Sequence, residues 1–316
     1  MKNILLVGGA GYIGGTLTNQ LVDAGYNVVV YDNLLYEERF LKKVAFHYGD
    51  IRDTQELLKI EKKYDTVIWL AAIVGDGACS QDPELTMEIN FNSLKRFLDA
   101  SKRRILFPST CSVYGMQDGL LTENSPVRPL SAYAETKHMA EEVVIKYGGL
   151  VFRLGTLFGI GDEFSRIRLD LVINYLTFKA LHDKKITVFG GAQWRPVLNV
   201  RDAAAYFAEA VTRNYNDIFN IGMKNIRIVD LAALFKNMFP DIRVEVVDTK
   251  FEDSRNYQVS TEKVNSNFIF RPLSGIEQEI DKMRELLASR RIKNPLDARY
   301  YNTHFVKGAL EEMRKI

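Results

Sequence analysis

Ile4-Leu5-Leu6-Val7-Gly8-Gly9-Ala10-Gly11-Tyr12-Ile13-Gly14-Gly15 is the stretch whose reading decides the fold. Four apolar residues in a row read as a strand buried on both faces, and Leu17, Leu21 and Val22 beyond it have helical spacing. The glycines between them permit a tight turn and let main-chain amides, those of Tyr12 and Ile13 included, approach a pyrophosphate at a helix N-terminus. Gly8, Gly11 and Gly14 give one phosphate-binding spacing, and Gly9, Gly11 and Gly14 give another.

Working outward, a second apolar run, Val28 to Tyr31, ends in Asp32, an acid placed to accept hydrogen bonds from an adenosine ribose. Its charge would repel a 2′-phosphate, which favours NAD over NADP. Further strands are expected at Val44 to Tyr48, Thr66 to Leu70, Ile105 to Phe107 and Leu150 to Leu154. Helices are expected from Thr54 to about Lys63 and from Pro83 to about Arg103. Asp50 can bind an adenine amino group and Ile51 can lie against the ring, while Ala71 and Ala72 let a ligand lie close to the backbone. Asn90, midway along the Pro83 helix, is either a structural hydrogen-bonder or a brace for a site. Alternating strands and helices imply an α/β protein, a Rossmann doubly wound parallel sheet, with a smaller, discontinuous α/β substrate domain. The expected division is 1–165, rejoined by 198–222, for the sheet domain and 166–197 with 223–295 for the substrate domain. Residues 296–316 form a C-terminal packing segment, against the body or another subunit. In the substrate domain, helices are expected from about Leu169 to Leu181, Val229 to Phe239 and Ser274 to Leu287, and strands at Ile186 to Phe189 and Val244 to Val247. A helix from Asn199 to Thr212 follows a short connector, and Ile218 to Ile221 returns to the first sheet.

Ser109-Thr110 at a strand end and Tyr133-Ala134-Glu135-Thr136-Lys137 carry the chemistry. Hydroxyls there face a ligand crevice, and Ser131 is a good N-cap for a helix that puts phenol and ammonium on one face, one turn apart. A phenol titrates near 10, so Tyr133 needs cations to act as a base at neutral pH; Lys137 and a nicotinamide ring would serve. Thr110 can then hold a substrate hydroxyl in line with Tyr133.

The balance of 42 basic and 40 acidic residues, net +2, gives no reason to expect nucleic acid or a membrane surface as partner. Two cysteines, Cys79 and Cys111, make no disulfide framework, and with four scattered histidines they form no metal-ligand spacing, which fits a cytoplasmic protein without a metal.

These pieces resemble the extended short-chain dehydrogenase/reductase superfamily, the NAD-dependent nucleotide-sugar epimerases and dehydratases. The matching stretches include Gly8/Gly11/Gly14, Asp32-Asn33-Leu34, Gly49 to Asp53, Leu70-Ala71-Ala72, Ser109-Thr110, Val113-Tyr114-Gly115 and Tyr133 to Lys137. Arg153 to Gly159, Arg195-Pro196, Val200-Arg201-Asp202 and Ser254-Arg255-Asn256-Tyr257 follow in family order. The resemblance implies that Asn33, Leu70 and Ser109 join the NAD site. It also implies that Tyr133 is the acid/base, that Lys137 binds the nicotinamide ribose and lowers the Tyr133 pKa, and that Thr110 positions a sugar hydroxyl. Arg195 and Arg255 then meet the diphosphate of a nucleotide-diphosphate sugar, Asn174 meets nucleotide or phosphate, and Arg166 and Arg168 are further candidates. A homodimer through about 83–103 and 131–147 is implied as well.

The acidic residues that dehydratases carry after the Thr are replaced here by Cys111 and Ser112, which disfavours elimination. Cys111 reads as a packing residue. Thr156 stands in the substrate site where epimerases usually carry Asn. A branch pattern, Ala71-Ala72-Ile73-Val74-Gly75-Asp76, the Asp170-Leu171-Val172-Ile173-Asn174 helix and Trp194-Arg195-Pro196-Val197, resembles enzymes acting on GDP-linked or other bacterial surface sugars, GDP-manno-heptose 4-dehydrogenases included. The expected activity is therefore NAD-dependent oxidation at C4 of a nucleotide sugar, with a 4-epimerase that retains its NAD as one alternative and a non-catalytic NAD-binding sensor as another.

Overall fold

A computed structural model of the protein describes residues 2–37, 39–247, 255–272, 275–289 and 291–313. The strands in chain order begin with β1 Asn3–Val7, β2 Asn27–Asp32, β3 Ala45–Tyr48, β4 Thr66–Trp69, β5 Ile105–Thr110, β6 Met116–Leu121 and β7 Leu150–Leu154. They continue with β8 Thr156–Phe158, β9 Lys185–Phe189, β10 Trp194–Asn199, β11 Ile218–Ile221, β12 Lys224–Arg227, β13 Arg243–Val247 and β14 Asn256–Val259. One sheet has the order β11-β7-β5-β4-β1-β2-β3, and each of its pairs is parallel. This is the doubly wound Rossmann arrangement. The strand order reverses between β1 and β4, so a ligand crevice opens at the carboxyl ends of those strands.

Successive strand residues point to opposite faces, and both faces are covered. Leu5, Val7, Val29, Tyr31, Val67 and Trp69 pack with Leu94, Phe97 and Val144 on one side. Ile4, Leu6, Val28, Val30 and Ile68 pack with Leu17, Leu21 and Phe207 on the other. Double coverage is why these strands read as continuous apolar runs, and each fully buried side chain of this size contributes about 1.5–3 kcal/mol. A third core, around Phe158, Ile173, Leu176, Val188, Phe235 and Ile280, joins the helices Val172–His182, Ile228–Met238 and Ile276–Ala288 to the three-stranded sheet β12-β10-β8 and the pair β13-β9.

Two local expectations change, and one strand pair is new. The segment from Pro83 is not one continuous α-helix: Pro83–Met87 and Ser93–Ser101 flank a π-helical stretch, Glu88–Asn92. Before the helix Val200–Ala210, the chain is not a connector but β10, parallel to β8 and antiparallel to β12. Arg195 and Pro196 interrupt the alternation by which a strand is recognised, and Pro lacks a ladder donor. β6 and β14 pair in parallel beside the main sheet, although neither carries a strong apolar pattern. Ser254 and Ser274 lie outside the described residues.

The C-terminal segment packs on the body. Asn302 Nδ2 donates to the Val74 carbonyl at 2.8 Å, its main-chain N–H donates to Asp170 at 2.9 Å, and the Phe305 and Tyr36 rings lie 5.9 Å apart. No helix of the described residues is long and apolar enough to cross a membrane.

Candidate active site

The crevice at the switch point is lined by the turn after β1, the residues after β2 and β3, and Leu70, Ala71, Ala72 and Val74 after β4. Gly8 has a φ of +80°, and a Cβ there would sit 2.3 Å from the Ala71 nitrogen. At Gly14 a Cβ would sit 2.4 Å from the Gly9 carbonyl oxygen. Only glycine lets the turn close this tightly on β4 and on its own helix. The helix Tyr12–Asp23 begins at Gly11 with no side-chain cap and no acid in its first turn, so its amides and partial positive charge face the crevice unopposed.

Asp32 accepts from Ala10 N–H at 2.9 Å through one oxygen and from Leu34 N–H at 2.7 Å through the other. Burial nevertheless holds its pKa above the ordinary value. Each oxygen keeps a lone pair, so the carboxylate fits the two hydroxyls of a ribose. Asp50 departs from expectation. Its oxygens accept from the Arg52 main chain at 2.9 Å, from the Arg52 guanidinium at 3.0 and 2.9 Å, and from Asn33 Nδ2 at 3.2 Å. Burial would raise its pKa, but Arg52 outweighs burial and lowers it. Asp50 therefore braces the turn with Asn33, and the crevice wall there is made by Asn33, Gly49 and Ile51.

Ser109 also turns elsewhere. Side chains alternate along β5, so Ser109 and Thr110 point to opposite faces. The Ser109 hydroxyl donates to Glu141, which is held by Arg153 at 2.7 Å, both being buried. Its hydroxyl belongs to that buried network and not to the cofactor crevice. Cys111 is buried and donates to the Arg153 carbonyl at 3.2 Å, a packing role.

Ser131 accepts from Ala134 N–H at 3.2 Å and caps the helix Ala132–Lys146. Lys137 is buried and donates through Nζ to the Pro108 carbonyl at 2.9 Å, with the ammonium 4.6 Å from the Phe107 ring centroid. Burial lowers its pKa to about 8. The Tyr133 hydroxyl has no hydrogen-bond partner among the described residues, so it is available to a ligand. Its pKa does not fall as expected. Burial pushes it up, Cys79 and Asp76 add to the rise, and the cations that oppose it most are Arg168 and Arg255, not Lys137. The Lys137 ammonium is directed at Pro108, and desolvation of the phenol dominates. Thr110 lies beside this helix at the end of β5, its Oγ1 accepting from Ser112 N–H at 3.1 Å.

On the other side of Tyr133, Arg255 donates to Ser112 Oγ at 3.0 Å and pairs with Asp76 at 3.1 Å, and Arg195 donates to the Arg255 main-chain carbonyl. Arg195 is thus near Arg255 but buried beneath it. Asp76 also accepts from the capping Ser131 hydroxyl. From the sequence, Asp76 enters only as the end of the Ala71 to Asp76 stretch, with no role of its own, because it lies seven positions past β4 at the start of the short helix Asp76–Cys79. Thr156 opens β8 opposite Val197, apart from this cluster in the hydrogen-bond network. Asn174 does not reach ligand space. It is 1% exposed, and its amide bonds the Gly159 N–H at 2.9 Å and the Arg168 carbonyl at 2.7 Å. It ties down the 159–168 loop.

A model of the family described as "NAD dependent epimerase/dehydratase family" matches residues 4–222. The chain belongs to that family. NAD is the family's cofactor, and the glycine turn, Asp32 and the small residues after β4 fit a dinucleotide. A UDP-glucose 4-epimerase of Rhizobium meliloti is 36% identical over 155 residues, 46% of this chain and 47% of that one. A UDP-glucose 4-epimerase of Lactobacillus helveticus is 29% identical over 265 residues, covering 72% of this chain and 80% of its own. The fold is that of the UDP-glucose 4-epimerase of Thermotoga maritima solved with UDP-glucose, with a TM-score of 0.80 at 22% identity over 91% of this chain and 99% of that one. Family membership makes the chain an NAD-dependent enzyme.

Proposed function

We propose that this family member oxidises C4 of a nucleotide-diphosphate sugar, a GDP-linked heptose or hexose being the candidate that the branch pattern favours. The observation that carries the reading is the unpartnered hydroxyl of the half-buried Tyr133, one turn from the buried Lys137 ammonium on the same helix, in a fold whose β1–β4 switch point forms a dinucleotide crevice. Tyr133 takes the proton of the C4 hydroxyl as the C4–H pair leaves, so the O–H and C4–H bonds break and a ketone forms. NAD, when bound, supplies the hydride acceptor and a positive ring that favours the phenolate. Thr110 orients the hydroxyl, Lys137 holds positive charge beneath Tyr133, and Arg255, with Arg195 behind it, faces the diphosphate after exchanging Asp76 for it. Thr156 lines the sugar side.

A second reading, a 4-epimerase that retains NAD and returns the hydride to the opposite face, is favoured by the names of the relatives in Rhizobium meliloti and Lactobacillus helveticus. A homodimer is supported by the neighbouring segment 88–101 and helix Ala132–Lys146, where Phe91 in the π-helical stretch and Val143 remain partly exposed. A cytoplasmic setting is supported by two buried free cysteines and by substrates of this class.

Incubation with NAD and a panel of GDP-, UDP- and TDP-sugars, GDP-manno-heptose included, read by nicotinamide absorbance and sugar NMR together, tests this. Net NADH with a 4-keto sugar establishes the oxidation. A C4 isomer without accumulating NADH establishes the epimerase, and no substrate-dependent reduction of NAD and no isomer would leave the sensor. Tyr133→Phe should keep the fold and NAD binding and lose at least about 100-fold in turnover; near wild-type turnover would reject the mechanism.

A further inference from the structure

The arginines near the site fall into two groups. Arg195 and Arg255 stand with Ser112 and Asp76, whereas Arg166 and Arg168 line the dinucleotide crevice with Tyr12, Asp32, Tyr36 and Asn302. Arg166 and Arg168 are 6% and 8% exposed. Arg168 is neutralised by Asp170 in a two-pronged pair at 3.0 and 2.9 Å. Arg166 makes no ion pair among the described residues. One of its terminal nitrogens donates to Asn302 Oδ1 at 2.7 Å and the other to the Arg299 carbonyl at 2.9 Å, while its Nε has no partner. Its guanidinium lies 4.3 Å from the Tyr36 ring centroid. Burial, together with repulsion from Arg168, lowers its pKa to about 10, with Tyr36, Asp170 and Glu37 opposing.

A buried guanidinium held mainly by neutral groups carries a desolvation cost that an arriving anion offsets. The same crevice presents the uncapped start of the helix Tyr12–Asp23. Two electropositive walls therefore bound one crevice, and Asp32 marks its ribose end. We propose that Arg166 and Arg168 hold the pyrophosphate of the dinucleotide from the wall that the 159–170 loop and the C-terminal segment build, with Asn302 as the positioning residue for Arg166. This rests on the assignment of the crevice to NAD. It also moves both arginines from the nucleotide sugar to the cofactor.

The test measures binding of NAD, ADP-ribose, adenosine, UDP and GDP to the full chain and to Arg166→Met, Arg166→Lys and Asn302→Ala. Arg166→Met should weaken NAD and ADP-ribose in parallel, by roughly 10- to 100-fold, and leave adenosine, UDP and GDP unchanged. Arg166→Lys, which keeps the charge but not the fork, should recover part of the loss, and Asn302→Ala should give a smaller loss with the same ligand pattern. Unchanged ADP-ribose affinity in Arg166→Met would overturn the proposal, as would a loss confined to UDP or GDP. If Arg166→Met does not fold, equal affinities in Arg166→Lys, Asn302→Ala and wild type decide against it. Failure of the wild type itself to bind both adenosine and NAD would instead sink the cofactor assignment on which the proposal stands.

Discussion

Lys137 is a cation buried beside the group it serves, and its surroundings make it a weaker proton holder than a free lysine. Burial brings its pKa from 10.5 to about 8. Below about pH 8 it is protonated in both folded and unfolded chains, and the folded state carries the whole desolvation cost. Between about 8 and 10.5 the unfolded chain binds more protons, so that cost is relieved and stability rises with pH. The gap corresponds to on the order of 3 kcal/mol. Lys137→Met removes this dependence. Denaturant midpoints at pH 7 and pH 10 should show wild type gaining on Lys137→Met by up to that amount, while the variant loses most turnover at both pH values. A stability difference that does not change with pH would show that Lys137 titrates like an exposed lysine. The phenol one turn away was placed by spacing alone, but its electrostatics were not legible: sequence separation says nothing about Arg168, Asp76 or Arg255.

At the scale of elements, the π-helical stretch Glu88–Asn92 does what an unbroken helix pattern concealed. Its widened turn presents Asn90 to the strand-end loop, where the amide accepts from Ile73 N–H at 2.8 Å and donates to the Ile73 carbonyl at 2.9 Å. It also lies 3.4 Å from Thr136 Oγ1 on the Tyr133 helix. Both alternatives for Asn90 therefore hold: it satisfies buried backbone, and in doing so it fixes the loop that ends in Asp76. Asn90→Ala leaves the Ile73 N–H unpaired and its carbonyl with the Cys79 thiol alone, and should cost about 1–3 kcal/mol in urea unfolding. A loss under about 0.5 kcal/mol would mean that the loop finds other partners. The π turn has no local signal in Glu88-Ile89-Asn90-Phe91-Asn92, because the pull on it comes from Ile73, seventeen positions earlier. β10 was hidden for a different reason: Arg195 and Pro196 sit in it because their neighbours, Arg255 and Asn225, are supplied by distant segments.

Across the whole molecule, Glu279 ties the small lobe to the sheet. Its carboxylate has no side-chain exposure, pairs with Arg201 at the start of the helix Val200–Ala210, and accepts from Lys282 at 2.7 Å and from Ile160 N–H at 3.3 Å. Glu279→Ala removes a buried acid from two partly exposed cations, which water can solvate once it is gone, and should cost about 1.5–3 kcal/mol by calorimetry, with nucleotide-sugar affinity falling alongside if this contact sets how the crevice is framed. A cost below about 1 kcal/mol would make the tie incidental. What the sequence by itself determined is the part written in local pattern: apolar runs buried on both faces, the glycine turn with Asp32 one strand later, and the Tyr133 to Lys137 spacing on a capped helix. Each of those depends on residues a few positions apart, where backbone geometry allows few alternatives. Only the tertiary structure decided which polar groups are already committed. Asp50, Ser109 and Asn174 have the right chemistry for ligands but meet Arg52, Glu141 and the 159–168 loop first, whereas Arg166, a residue of the crevice wall, keeps a buried nitrogen without a partner. Hydrogen-bond satisfaction in a buried site is settled by whichever partners the fold brings together, and that information is spread over the whole chain.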